Sequence, residues 1–320
     1  MNKFFAVASL AVTGAFAADQ NLLNLVMPDA KVVFGIQVDQ AKASPFGQYM
    51  LSQVKPDDPG LQKLMTETGF DPRKNISEVL IASTGPHQPG ANGLVLARGS
   101  FDPAKVQSAA QAHGGTVTQF SGVAVITGNK DHEGDLHSIA FPDSSTAILG
   151  DTASVQGAIG RLHGGGGLTP QLQTAVQNAS AGNDLWFVTL APLSQFAVAV
   201  PDPSVNNAMQ GSNLFQSVQQ ASAGVKFGDT VKVNGQAVTN SEKDAQALVD
   251  AVRFLLGMVT MNAQKDPAAA MVASLVNALQ LQASANTMIL SLAVPEKQLE
   301  ALVQNVHHGA GVHHRPAPAQ

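Results

Sequence analysis

Residues 145–167 read STAILGDTASVQGAIGRLHGGGG, and the fold turns on what this stretch is. A strand-like run ends at Gly150, a run with helical spacing follows, and four glycines close it. Two readings compete: a glycine loop that cradles phosphate, or a helix capped at the end of a strand. A Walker-type loop, G-x-x-x-x-G-K-[ST], needs a lysine that reaches the phosphates. Here Gly150 and Gly157 stand seven apart, Gln156 precedes the second glycine, and no lysine is near. The dinucleotide spacing G-x-G-x-x-G is missing too. Asp151 or Thr152 suits an N-cap, and Val155, Ala158, Ile159 and Leu162 form one apolar stripe. The stretch therefore predicts a strand, a capped helix and a glycine stop.

The same unit recurs on both sides. GLVLARGSFDPAKVQSAA (93–110) and TMILSLAVPEKQLEALV (287–303) each join a strand to a capped amphipathic helix. Asp102 caps the first, with Pro103 in the tolerated first helical position. A unit used three times is architecture before it is three phosphate sites. Around these, KVVFGIQV (31–38), SEVLIAS (77–83) and DLWFVTLAPL (184–193) read as strands, with short strands near 116–120, 122–128, 136–141 and 145–150. Residues 45–69 read as helical with a break near 56–60, and helical material is expected after 193 as far as Gln220. VKFGDTVKVNGQAVT (225–239) predicts a hairpin turning at Asn234-Gly235. Ser241 and Asp244 form a capping-box pattern. Ala245, Leu248, Val249, Val252, Leu255, Leu256 and Val259 then give the cleanest helical period in the chain. A helix over 267–278, a hairpin around 284–286 and a helix over 295–306 complete the pattern.

The runs GSFDPAKVQSAA, QFSGVAVITG, HSIAFPDSSTAILGDTASVQGAI and LSLAVPEKQLEAL resemble a group of exported bacterial α+β proteins with a duplicated domain and no assigned activity. The resemblance spans most of residues 30–305. It implies an α+β fold of two related halves, each a largely antiparallel sheet with helices packed on one face. It brings no catalytic residue with it.

Composition bounds the rest. The chain has 320 residues, 44% hydrophobic, but only 13% are charged and the net charge is −5. That balance offers no electrostatic footprint for nucleic acid. At the N-terminus, Asn2 and Lys3 precede an apolar block ending in Ala15-Phe16-Ala17, the small-x-small pattern of a cleaved leader. Cleavage after Ala17 removes Lys3, the one charged side chain in that segment, and takes −5 to −6. The reading is an exported protein, periplasmic or secreted, with no transmembrane span. There is no cysteine, which rules out disulfides, thiol catalysis and cysteine-ligated zinc. The expected organisation is a signal peptide over 1–17, α+β halves over 18–183 and 184–306, and a disordered His-rich tail over 307–320.

Two clusters could bind metal. KDHEGDLH (130–137) places His132 and His137 five apart, off the i, i+4 spacing of a helical zinc site, and Gly134 favours a hairpin turn. Asp131, Glu133 and Asp135 there offer oxygens to calcium, without the EF-hand pattern. In the tail, His307, His308, His313 and His314 are four of the nine histidines and bind divalent metal adventitiously when neutral. No G-x-S-x-G elbow is present. These observations lead to an exported, non-enzymatic binding or structural protein of the cell envelope or extracellular space, with an unknown envelope or extracellular partner and no cofactor. The alternatives are an exported hydrolase with a site assembled from sequence-distant residues, and a metal-handling protein using the tail.

Overall fold

A computed structural model describes residues 17–53, 58–85, 92–128, 137–164, 166–195, 213–262 and 267–309. The chain opens with α1 (Gln20–Leu23) and β1 (Val32–Gln37), then four short helices: α2 (Val38–Ala43), α3 (Pro45–Ser52), α4 (Pro59–Thr68) and α5 (Pro72–Asn75). β2 (Ile76–Ser83), β3 (Gly93–Gly99), α6 (Pro103–Ala112), β4 (Thr116–Phe120), β5 (Val123–Thr127), β6 (His137–Asp143) and β7 (Thr146–Asp151) follow. Two helices, α7 (Thr152–Arg161) and α8 (Pro170–Ser180), lead to β8 (Leu185–Thr189). After two 3₁₀ turns come β9 (Val218–Lys226), β10 (Thr230–Thr239), α9 (Glu242–Asn262), α10 (Pro267–Ala278), β11 (Gln280–Ser284), β12 (Thr287–Pro295) and α11 (Glu296–Gly309).

The twelve strands form one antiparallel sheet in the order β11-β12-β10-β9-β8-β1-β2-β3-β7-β6-β5-β4. The joint at its centre is β1 against β8, with Gly35 opposite Trp186. Trp186 is 1% exposed, and a Cβ on Gly35 would overlap its indole ring, so glycine here is what lets the indole lie flat across the joint. Alternation along the strands sorts side chains between the faces. On one face Val33, Leu80, Leu96, Ile148 and Trp186 pack with Leu22 and Val26, with Val155 and Ile159 of α7, and with Leu172 and Val176 of α8. On the other, Ala97, Ala147 and Phe141 meet Phe101 and Val106 and Ala110 of α6. The expectation of helices on one face is thus refined. Leu96 and Ala97 are neighbours on β3 and point to opposite sides, so both sides of this region are apolar and both carry helices. Farther along, Leu248 of α9 packs on Val218, Ala221 and Ala237.

The opening stretch is a strand and a capped helix, as its residues predict. Asp151 accepts from the Ser154 N–H at 2.8 Å, and Asp102 and Ser241 cap α6 and α9 in the same way. Leu248 and Val249 are buried, while Leu255 and Leu256 are half-buried and Phe254 is exposed, so the stripe's core is its N-terminal part. The Val259 side chain lies outside the described residues. Two expectations are corrected. Residues 218–220 begin β9 instead of ending a helix. The hairpin of residues 225–239 turns at 227–229, and Asn234-Gly235 lie mid-strand in β10 opposite Gly224 and Ala223. An Asn-Gly hairpin turn needs positive φ at both positions; neither residue has it, whereas Ala285 at the β11–β12 turn does, at φ 48°. Among the described residues, no helix is long and apolar enough to cross a membrane.

Candidate functional site

Past β8, the sheet loses its covering helix on one side. Leu248 fixes which side α9 takes: it lies on Ala221 and Ala237. The alternate residues must face away from α9, and they are polar. Lys232, Asn234 and Gln236 of β10 and Gln280 and Gln282 of β11 are exposed. The C-terminal end of α8, packed over β8 and the near edge of β9, forms a wall beside this open floor. The result is a cleft of about 400 Å³ lined by Asn178 and Asn183 from the wall and Ser222, Gly224, Asn234, Gln236, Ile289 and Ser291 from three strands.

The local sequence explains the shape. Ala181 caps α8, and Gly182, at φ 73°, turns the chain so that Asn183 returns over β9. Its carboxamide N–H donates to the Ala179 carbonyl at 2.8 Å. A Cβ on Gly224 would overlap the Asn183 carboxamide, so glycine leaves the floor open for it. Every polar side chain lining the cleft is a carboxamide or a hydroxyl. Carboxamides donate and accept at once, and hydroxyls do both through one oxygen. Such a surface can match a neutral ligand carrying many hydroxyls or amides, with Ile289 supplying apolar contact. Two further depressions, of about 490 and 610 Å³, run beside α9. One is lined mainly by the solvent face of that helix, including Glu242, Lys243 and Asp250.

A second polar centre sits on the first core face, at the end of the sheet near α1. Gln37, Glu78, Arg98 and Thr146 form a register row across β1, β2, β3 and β7. Arg98 donates to Asp19 Oδ2 at 2.8 Å and to the Thr146 hydroxyl at 2.6 Å. Asp19 Oδ1 caps α1 through the Asn21 N–H. The Asp19 N–H donates to Glu78 Oε1 at 3.0 Å, and the Ala18 N–H to the Ser180 hydroxyl at 3.2 Å. Glu78 is 6% exposed, and burial pushes its carboxyl above the usual glutamate range. At the far rim of the row, Asp143 accepts from Ser145 and Thr146.

Neither centre contains a residue that the sequence marks as a binding or metal site. Asp131, Glu133 and Asp135 lie outside the described residues, between the paired strands β5 and β6. His307 and His308 fall in α11, their side chains outside the described residues, as are His313 and His314 altogether. Among the described residues no group of three or more His, Cys, Asp or Glu side chains is placed to hold a metal. His113 ends α6 with Nε2 2.9 Å from Glu67, an exposed pair linking α6 to α4. The cleft had one available signal: uncharged amides two residues apart within strands, Asn234 and Gln236 in VNGQAVT and Gln280 and Gln282 in QLQAS.

No family model matches the chain, and no curated protein matches it. Among solved structures it is similar to one described as "Structure of crystal form I of TP0453", with a TM-score of 0.50 and 10% identity, covering 91% of this chain and 99% of that one. At that identity the likeness shows the fold alone: an α+β chain built on a large antiparallel sheet.

Proposed function

We propose that this is an exported, non-enzymatic binding protein of the cell envelope or extracellular space, and that it holds a neutral, hydroxyl-rich ligand of the oligosaccharide class in the cleft between α8 and β9, β10 and β12. The observation that carries the reading is the lining: four carboxamides and two serine hydroxyls on a sheet floor, with no ionisable side chain among them. Neutral donors and acceptors bind a sugar without the desolvation cost that a buried charge adds. Export rests on the leader pattern before Ala18, which the structure does not test. The duplicated organisation, with a boundary at 183/184, is supported by element order. From the central joint outward the strands run β1-β2-β3-β7-β6 on one side and β8-β9-β10-β12-β11 on the other, with α7 after β7 and α11 after β12. The hairpin β4–β5 is then an addition to the first half. It resembles the exported duplicated α+β group in this respect.

The test is a thermal-shift screen of residues 18–320 against neutral oligosaccharides, with Asn234→Ala/Gln236→Ala as the control. Both positions are exposed, so the double variant should melt with the wild type. A ligand at a hundred times its Kd adds about 2.7 kcal/mol of stability. The expected result is a shift in the wild type that the double variant loses. A shift that survives in the variant, or a response only to charged ligands, overturns the assignment.

A further inference from the structure

We infer that the second polar centre is a receptor for the chain's own new N-terminus: once the leader is removed after Ala17, the α-ammonium of Ala18 docks between the Ser180 hydroxyl and the Glu78 carboxylate and closes that end of the core. The inference rests on the proposed leader cleavage.

The geometry is in place. The Ala18 nitrogen is 3.2 Å from Ser180 Oγ, and Ser180 is fully buried. The next nitrogen, of Asp19, is 3.0 Å from Glu78 Oε1. Backbone bond lengths keep consecutive nitrogens within about 3.7 Å, so the Ala18 nitrogen lies within about 7 Å of that carboxylate. Charge counting points the same way. The centre holds two inward carboxylates, Asp19 and Glu78, with a third, Asp143, at its far rim, and one guanidinium, Arg98, which pairs with Asp19. In a chain still carrying residue 17, the Ala18 nitrogen is a neutral amide, and Glu78 is a buried acid with one backbone donor, the Gln37 carboxamide beside it, and Arg98 acting on it only through space. Cleavage turns that amide into a cation with two further N–H donors and adds positive charge where carboxylates outnumber cations. A buried carboxylate gains most from a partner that is both charged and hydrogen-bonded. The packing adds a mechanical reason. Ala18 packs against the main core, and Leu22, Leu23 and Val26 just beyond it are buried there. Docking the terminus therefore fixes α1 onto β2 and β3.

The experiment is a cycle in the chain from Ala18 to Gln320. Its terminus is left free or is acetylated by an N-terminal acetyltransferase, each with Glu78 or Glu78→Gln. Acetylation keeps one N–H for Ser180 and removes the charge together with the two further N–H donors. The free-amine protein should melt roughly 2–6 °C above the acetylated one, and Glu78→Gln should abolish that difference. Equal melting of the two wild-type forms, or a difference that survives Glu78→Gln, overturns docking. Should Glu78→Gln fail to fold, the Ala18 α-amine is titrated in the wild type. A pKa clearly above the ordinary α-amino range of about 7.7–8.0 supports docking, and one within or below it refutes docking. N-terminal sequencing of the exported protein separates the two layers. A terminus other than Ala18 overturns the leader reading and the biological coupling, whatever the melts show. An Ala18 terminus with equal melts overturns docking alone.

Discussion

Gly35→Ala tests the joint on which the continuity of the sheet depends. Gly35 of β1 lies opposite Trp186 of β8, and a methyl group at position 35 would overlap three indole atoms: Cε2, Cζ2 and Nε1. The ring is 1% exposed, beneath the helical layer of the main core, so it has no solvent to swing into. Overpacking of this kind costs about 1–3 kcal/mol, and a three-atom overlap with a rigid ring belongs near the top of that range. Against it, Gly→Ala at a position with ordinary φ returns about 0.4–1 kcal/mol by restricting the unfolded chain. The net expectation is a loss of about 2 kcal/mol, or a drop in melting temperature of about 4 °C for a chain of this size. Trp186 is the sole tryptophan, so its emission reports the disturbance directly, while far-UV circular dichroism gives the stability. Trp186→Phe costs stability by itself but vacates part of the contested volume. The double variant should therefore be less destabilised than the sum of the singles by about 1 kcal/mol. An unchanged melt in Gly35→Ala, or strict additivity in the pair, would refute the packing of the joint.

Three further outcomes follow from other parts of the fold. Asp102→Ala and Asp151→Ala should each cost about 1 kcal/mol in urea titrations, because each leaves a first-turn N–H without its cap; their sum should be additive, the two helices lying on opposite faces. Leu248→Ala should cost roughly 2–5 kcal/mol and Leu255→Ala clearly less, since Leu248 is fully buried and Leu255 only half so; a reversed order in denaturant melts would show that α9 packs on a different face. Asp71 is hydrogen-bonded to the Arg73 guanidinium, which holds its carboxyl below the ordinary 3.8. Its contribution is thus fully present above 3.8 and is lost as pH falls through the lowered value. Asp71→Asn should therefore destabilise the protein at pH 7 and lose its effect as the pH falls below 3.8 through the lowered value; an effect that does not decline with pH would exclude the ion pair as the cause.

The elements of this fold were legible where a single physical signal acted alone. Asp102-Pro103, Asp151 and Ser241-x-x-Asp244 are caps whose chemistry is local, and each caps a helix where its residues predict one. Asn234-Gly235 misled because a local preference met a stronger long-range constraint. Turning there would have broken the alternation that keeps Val231 and Ala237 on one buried face, with Ala237 under α9. Phe227, Gly228 and Asp229 offered a turn that preserved it. The second helical layer over β3 has its own signal: β3 carries apolar residues at both parities, LVLA, which marks a strand covered on both sides.

Neither polar centre is complete in the sequence alone, and the reason differs between them. The cleft is defined by what does not cover it. Asn234 and Gln236 become a floor only because α9 takes the opposite face and α8 stops at Ser180, and both facts belong to packing and not to composition. The centre beneath Ala18 gathers residues 19, 78, 98 and 180, which meet through strand register and the packing of α1 and α8 on the sheet. Its sequence signature is an absence of pattern: a lone Glu78 on the apolar parity of β2, between Gln37 and Arg98 on its neighbours. An ionisable residue at a core-facing position, where the charged form must be desolvated, demands a partner that the strand itself cannot provide. Here the guanidinium goes to Asp19, and Glu78 takes the Asp19 N–H, with the Gln37 carboxamide opposite it and the Ala18 nitrogen one residue away along the chain.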